Sequence, residues 1–278
     1  MTDSPSIPTT TRALPSALDA RAIGGIVPSI IRCQAIFLDY DGTLTPIVAL
    51  PELAIMSNAV RTLVRQLSTI CPVTIVTGRD IEVVQQLVRL DGLGYVGSHG
   101  LDVIGPPGSG LRREVGVECV PALDMAEAEL LRETREIPGV VVERKRFSIS
   151  THVRQVDPHA HMLVEAAVDR VGHTHPSLRR EGGKMLFELR PDVDWDKGAA
   201  VRWLLDGMKI GPSGALYIGD DLTDETAFRA LAGRGATVVV ADPQGSRPTA
   251  AEFRLDSPED VYTLMVGLLA ARQSVDCN

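Results

Sequence analysis

The 278-residue chain has little of what marks secreted, membrane-spanning or nucleic-acid-binding proteins. It holds four cysteines, Cys33, Cys71, Cys119 and Cys277, and no two stand in a CxxC spacing. That scatter excludes a disulfide framework and a zinc site, and predicts reduced, buried or idle thiols. No apolar run reaches the roughly 20 residues that a membrane span requires. The opening "MTDSPSIPTTTRALPSALDA" has Ser, Thr and Pro but no apolar h-region, so it is not a secretory signal. Residues 1–30 are expected to be a loosely held lead-in, and the location cytoplasmic. Positive charge is in deficit: 28 Lys and Arg stand against 36 Asp and Glu, a net charge of −8. A general nucleic-acid binder would show a basic face, and an anionic membrane surface would repel this balance. An anionic small-molecule substrate is not excluded, because local charge at a site decides that. There is no internal repeat and no low-complexity tract.

What remains is ordinary for a soluble protein of one large or two smaller domains: 44% hydrophobic and 23% charged residues. "RCQAIFLDYDG" reads as a buried strand whose apolar run stops at Asp39. "SNAVRTLVRQLSTI" has helical spacing, with Ser57 or Asn58 as its cap. "PVTIVTGRD" is a second strand ending at Thr77-Gly78, "IEVVQQLVRL" a second helix and "GYVGSHG" a third strand. Alternating strands and helices predict a parallel sheet. From about Ile104 the texture changes. After the breakers "GPPGSG", the helices "PALDMAEAELLRETREI" and "HAHMLVEAAVDRVG" flank strands in "GVVVERKRFSISTHVRQV", and "KMLFELRP" follows. In these strands polar and apolar residues alternate. Met185, Phe187 and Leu189 oppose Lys184, Glu188 and Arg190, with Leu186 among the latter, and Ile149, Thr151 and Val153 oppose Ser150, His152 and Arg154. That is an antiparallel sheet with one packed and one polar face. The parallel pattern resumes with "WDKGAAVRWLLDGM", "GALYIGDDLTDETAFRAL", "ATVVVA" and a closing helix. The expected architecture is α/β: a Rossmann-like core over 31–104 and 191–278, with an α+β cap inserted over 105–190.

Four short motifs fall at strand ends or helix starts: Asp39-Tyr40-Asp41-Gly42-Thr43, Thr77-Gly78-Arg79, Lys197, and Gly219-Asp220-Asp221 with Asp224. In an open parallel sheet that edge is where ligands bind. Asp39, Asp41, Asp220, Asp221 and Asp224 are hard oxygen donors, and gathered together they call for a hard cation; Mg²⁺ fits. Thr77 and Lys197 suit phosphate oxygens, and backbone amides near Gly42 and Gly78 can face the same anion. Asp39 is placed to attack phosphorus, and Asp41, two residues on, to give and take a proton. The acidic trio could instead only cap the next helix, but capping needs one acidic residue and not three. Lys197 opens a helix, where a cation works mildly against the helix dipole, which hints at function.

These four motifs in this order resemble those of the haloacid dehalogenase superfamily. Within it, "DYDGTLTPI", "VTGRD", "GSHGLD", "ERKRFSISTHVR", "KMLFELRP", "WDKGAAVRWLL" and "YIGDDLTDETAF" resemble the trehalose-6-phosphate phosphatase family over residues 36–228. The resemblance implies a Mg²⁺-dependent phosphatase that hydrolyses trehalose 6-phosphate through an aspartyl phosphate. Asp39 would be the nucleophile and Asp41 the acid/base. Mg²⁺ would be held by Asp39, the Asp41 carbonyl and Asp220, with Asp221 or Asp224 close by. Thr77, Gly78 and Lys197 would hold the phosphoryl group, with Arg79 beside the substrate. The cap would close over the core and supply sugar contacts from Glu143, Lys145, Arg154, Lys184 and Glu188. Thr77 stands where many relatives have Ser, Ser98 where some have Glu, and Val153 where Tyr is common. Two alternatives stand beside this reading: a capped phosphatase for another sugar phosphate, and a non-catalytic sugar-phosphate sensor. The sensor predicts loss of a core motif, and none is lost.

Overall fold

The computed structural model describes residues 9–18, 33–48, 50–183, 185–242 and 245–276. The chain divides into two compact units, Met1–Arg113 with Trp195–Asn278 and Glu114–Asp194.

The first unit is built on an eight-stranded sheet. Its strands are β1 (Ala35–Asp39), β2 (Val73–Val76), β3 (Gly94–Gly97), β4 (Asp102–Ile104), β5 (Arg112–Glu114), β10 (Ala215–Gly219), β11 (Ala236–Val240) and β12 (Phe253–Leu255), in the order β12-β11-β10-β1-β2-β3-β4-β5. From β12 to β3 the pairing is parallel, and β3 pairs with β4 antiparallel. β1, β2, β10 and β11 are buried along their whole length, as expected of a parallel sheet covered on both faces. Successive side chains point to opposite faces, so each strand feeds two cores. Ile36, Leu38, Val73, Ile75, Leu216 and Ile218 pack with α1 (Asn58–Ser68), α2 (Ile81–Val88) and α7 (Pro258–Asp276). Phe37, Val76, Tyr217 and Val239 pack with α5 (Lys197–Met208) and α6 (Glu225–Leu231). The helix starts follow the sequence: the Ser57 side chain accepts from Val60 N, and that of Asp196 from Ala199 N.

One expectation is corrected. The lead-in is not loosely held where it is described. Thr10 bridges to Pro248, Ala17 N donates to Arg254 O at 2.8 Å and Arg254 N to Pro15 O at 3.0 Å, while Leu14 and Ala17 are buried. Residues 1–8 and 19–32 lie outside the described residues, as does Cys277. Cys33, Cys71 and Cys119 are free and buried.

The second unit has a four-stranded antiparallel sheet in the order β6-β7-β9-β8, made of β6 (Val141–Lys145), β7 (Ser148–His152), β8 (Leu178–Gly183) and β9 (Leu186–Pro191). Ile149 and Leu189 pack on Leu123, Ala126 and Leu130 of α3 (Val120–Thr134) and on Val168 and Val171 of α4 (His161–Thr174). Two details differ from the alternation pattern. Met185 sits in the β8–β9 turn at φ 63° and is exposed, instead of joining the packed face. Arg154 lies in an exposed turn beyond the end of β7. No described helix is long and apolar enough to cross a membrane.

Candidate active site

β1 lies between β10 and β2, with Leu38 opposite Ile218 and Asp39 opposite Val76. Parallel pairing therefore puts the carboxyl ends of these three strands on one edge. It gathers Asp39, Thr77 and the Gly219-Asp220 turn from positions far apart in the sequence.

At the centre is a buried lysine. Lys197, the first residue of α5, is 3% exposed and donates to Asp39 Oδ1 and Asp224 Oδ1, each at 2.8 Å. Burial disfavours its charge, but the Asp224 and Asp39 carboxylates outweigh that, so its pKa rises and it stays protonated. Asp224 is fully engaged. Its Oδ1 also accepts from Tyr217 at 2.6 Å, and its Oδ2 accepts from the backbone N–H of Asp220 and Asp221 at 3.1 and 2.9 Å. Asp221 and Asp224 form a capping box at the 3₁₀ turn Leu222–Asp224. Capping and site-building are thus one arrangement: Asp224 folds the Asp220 loop and pins Lys197. Asp221 itself is exposed.

Asp39, Asp220 and Asp224 each offer an oxygen within 4.8 Å of the others. Asp220 Oδ1 is buried with no hydrogen-bond partner. Burial and the neighbouring carboxylates push Asp220 up to about 7. Burial, opposed by Lys197 and reinforced by Asp224 and Asp220, also raises Asp39 well above the usual carboxylate range. An orphaned buried oxygen among carboxylates that resist ionisation is the environment a hard divalent cation relieves, so the residues present fit one. Gly42 is required here for two reasons. Its φ is +80°, and a Cβ would collide with the Asp220 carboxylate.

This predicts a pH dependence of stability. Folding holds a proton on Asp220 that the unfolded chain, with an ordinary value of 3.8, gives up. Unfolding then releases protons, so this share of stability is present at low pH and lost as pH rises toward about 7. In EDTA, the melting-temperature advantage of the wild type over Asp220→Asn should shrink between pH 4.5 and 7.5. An advantage that grows with pH would contradict it.

Around this core, Thr77 is buried and its hydroxyl accepts from Arg79 N at 3.2 Å. The Gly78 backbone lies so close to the His99 ring that a Cβ there would collide with it. Arg79 is not directed as expected. Its Nε and Nη2 grip the two Asp41 oxygens at 2.7 Å each, a bidentate clamp on the would-be acid/base. Arg79→Ala should lower kcat by roughly 10- to 100-fold by releasing Asp41 from its position, and Arg79→Lys should restore little, since lysine lacks the fork. A wild-type kcat in Arg79→Ala would rule the clamp out. Two residues were not anticipated. Tyr217 holds Asp224 from inside an apolar strand, where its hydroxyl gave no signal. The Thr43 hydroxyl is buried without a partner, and its place in DxDGT was the available clue.

The second unit carries a polar cluster of its own. Glu143, Ser150 and Glu188 stand in register across β6, β7 and β9. Ser148 and Ser150 hydroxyls both donate to Glu188 Oε1 at 3.0 Å, Lys145 Nζ lies 3.9 Å from Glu143 and Glu188, and His152 pairs with Glu143 at 2.9 Å. Of the expected sugar contacts, Glu143, Lys145 and Glu188 therefore meet, Arg154 lies in the turn beyond them, and Lys184 lies outside the described residues.

A carboxylate at the end of the central parallel strand, faced by a buried lysine and a second acidic turn, is the arrangement that the resemblance to the haloacid dehalogenase superfamily implies. Comparison with known proteins narrows this. The Trehalose-phosphatase family profile matches residues 37–259. A protein named trehalose-phosphate phosphatase from Mycobacterium marinum is 40% identical over 94% of this chain and 67% of its own length. One of the same name from Mycobacterium tuberculosis is 40% identical over 89% of this chain and 64% of its own. The chain thus spans about two thirds of the length of these relatives. The solved C-terminal domain of Candida albicans trehalose-6-phosphate phosphatase shares the fold, with a TM-score of 0.73, 24% identity, and coverage of 92% of this chain and 99% of that one. The chain belongs to the trehalose-phosphatase family.

Proposed function

We propose that the protein hydrolyses trehalose 6-phosphate to trehalose and inorganic phosphate with Mg²⁺ as cofactor. The observation that carries this is the Asp39–Lys197–Asp224 linkage beside the orphaned Asp220 oxygen, in a chain of this family. An Asp39 oxygen attacks phosphorus in line, and the bond from phosphorus to the sugar oxygen breaks. Asp41 gives its proton to that oxygen, and an aspartyl phosphate remains on Asp39. Water then attacks the same phosphorus. Asp41 takes its proton, and the carboxylate of Asp39 returns with free phosphate.

Lys197, Thr77, the Gly78 amide and the Thr43 hydroxyl hold the phosphoryl oxygens. Asp39, the Asp41 carbonyl and Asp220 would hold Mg²⁺, which supplies charge neutralisation for the carboxylates and the phosphoryl group. Asp224 holds Lys197 and the Asp220 loop in place, and Asp221 caps the turn. Glu143, Lys145 and Glu188, with Arg154 and Lys184, read the sugar hydroxyls, since charged partners make the stronger hydrogen bonds to neutral groups.

The test is kcat/KM across trehalose 6-phosphate, sucrose 6-phosphate, glucose 6-phosphate and p-nitrophenyl phosphate. Trehalose 6-phosphate should lead by at least about 100-fold. Glu188→Gln should erode that lead while leaving p-nitrophenyl phosphate turnover intact. A faster rate on another sugar phosphate would reassign the substrate, and binding without turnover would favour a sensor.

A further inference from the structure

The N-terminal segment and the turn 245–250 converge on the back of the acidic loop. Arg247 Nη2 donates to the backbone carbonyl of Asp220 at 2.9 Å, and its Nη1 pairs with the Glu225 carboxylate. Glu225, first residue of α6 and 6% exposed, also accepts from Ala250 N at 2.8 Å through its other oxygen. One carboxylate thus ties the turn to the helix that follows the acidic loop. Arg247 is in turn seated from the other side. Thr11 N donates to Arg247 O at 2.9 Å, Thr249 N donates to Thr9 O at 2.9 Å, and Thr10 bridges to Pro248. Leu14 is buried with Phe228 and Leu231 of α6, so the segment is anchored by packing as well. The N-terminal segment itself lies outside the residues 37–259 that the family profile matches.

The Asp220 peptide is consequently held on both sides. Its N–H donates to Asp224 Oδ2, and its C=O accepts from Arg247. These two bonds fix the backbone from which the Asp220 side chain projects, and Oδ1 of that side chain is buried and unpartnered among the carboxylates. A guanidinium is suited to this post, because its planar fork can serve a carbonyl and a carboxylate at once. Holding the donor in place before the cation arrives lowers the ordering cost of binding.

We infer that Arg247, seated by Glu225 and by the N-terminal segment, is a positioning residue that presents Asp220 to the divalent cation and so sets cation affinity. The inference rests on the reading of Asp220 as a cation ligand.

The experiment measures Mg²⁺ binding directly, by titration calorimetry on the wild type, Arg247→Met, Arg247→Lys and Glu225→Gln, with the melting temperature of each in EDTA. The Mg²⁺ concentration for half-maximal phosphatase rate is measured on the same four proteins. Arg247→Met should weaken Mg²⁺ binding about tenfold or more, Arg247→Lys and Glu225→Gln less, with kcat at saturating Mg²⁺ within about threefold of wild type. A lower melting temperature with unchanged Mg²⁺ affinity would overturn the inference, leaving Arg247 a purely structural tie. If Arg247→Met does not fold, the other two variants decide in the same way. If the Arg247-intact protein itself binds no Mg²⁺ and needs none for turnover, the cation reading of Asp220 fails, an outcome distinct from equal binding by both.

Discussion

Asp39→Asn should abolish turnover, lowering kcat by at least about 10⁴-fold, without destabilising the fold. The loss follows from chemistry. An amide cannot attack phosphorus and return a carboxylate, and removing a covalent nucleophile typically costs several orders of magnitude. Stability should be unchanged or improved, because Asp39 is a buried carboxylate whose ionisation is opposed by burial and by Asp224 and Asp220. The isosteric amide removes one of these charges and can still accept from Lys197. Phosphate release and melting temperature in EDTA, measured together, check both halves. An undiminished rate would mean that the nucleophile lies elsewhere, and a large drop in melting temperature would mean that Asp39 is chiefly structural.

Lys197→Met should cost both stability and activity. The ammonium pairs with both Asp39 and Asp224, and both carboxylates are almost wholly shielded from water. Removing one partner of a buried ion pair leaves an uncompensated charge, typically a loss of about 3–5 kcal/mol. For a chain of this size that lowers the melting temperature by roughly 10 °C. Turnover should fall by on the order of 10³-fold, since a phosphoryl ligand and the alignment of Asp39 go together. The deficit in stability should narrow as pH falls and the stranded Asp39 carboxylate, already raised by burial, takes up a proton. It should also be partly recovered in Lys197→Met/Asp224→Asn, which removes one stranded charge. A rescue of stability without rescue of rate would separate the two roles of Lys197. An Lys197→Met protein as stable as wild type at pH 7.5 would contradict the geometry.

The parts of this molecule that were legible in the sequence are those where local pattern and tertiary role coincide. β1, β2, β10 and β11 are apolar runs because both of their faces are covered, and β1, β2 and β10 stop near the residues that carry chemistry. Lys197 could be suspected because a cation at a helix start goes against the dipole. β8 was not legible. "LRREGG" carries charge on successive positions, and its place comes from pairing along β9 and from charge partners outside the strand: Arg180 pairs with Glu165 and Asp169, and Glu181 with Arg190. The three-residue strands β4, β5 and β12 are too short to show a period.

Within the site, the Arg79–Asp41 clamp spans 38 positions and the Arg247–Asp220 tie 27. Nothing in either local stretch announces them. The resemblance put Arg79 beside the substrate; in the fold its fork is taken by the Asp41 carboxylate. The lead-in misled for a related reason. Ser, Thr and Pro look unstructured locally, yet their backbone is tied to a turn more than 230 residues away.

The most direct measurement of the central claim is phosphate release from trehalose 6-phosphate by the wild-type protein in excess Mg²⁺ and in excess EDTA, with Asp39→Asn in parallel. The account predicts turnover in Mg²⁺, its loss in EDTA, its return when Mg²⁺ is restored, and none with Asp39→Asn under any condition. Turnover that persists in EDTA, or that survives Asp39→Asn, would contradict it.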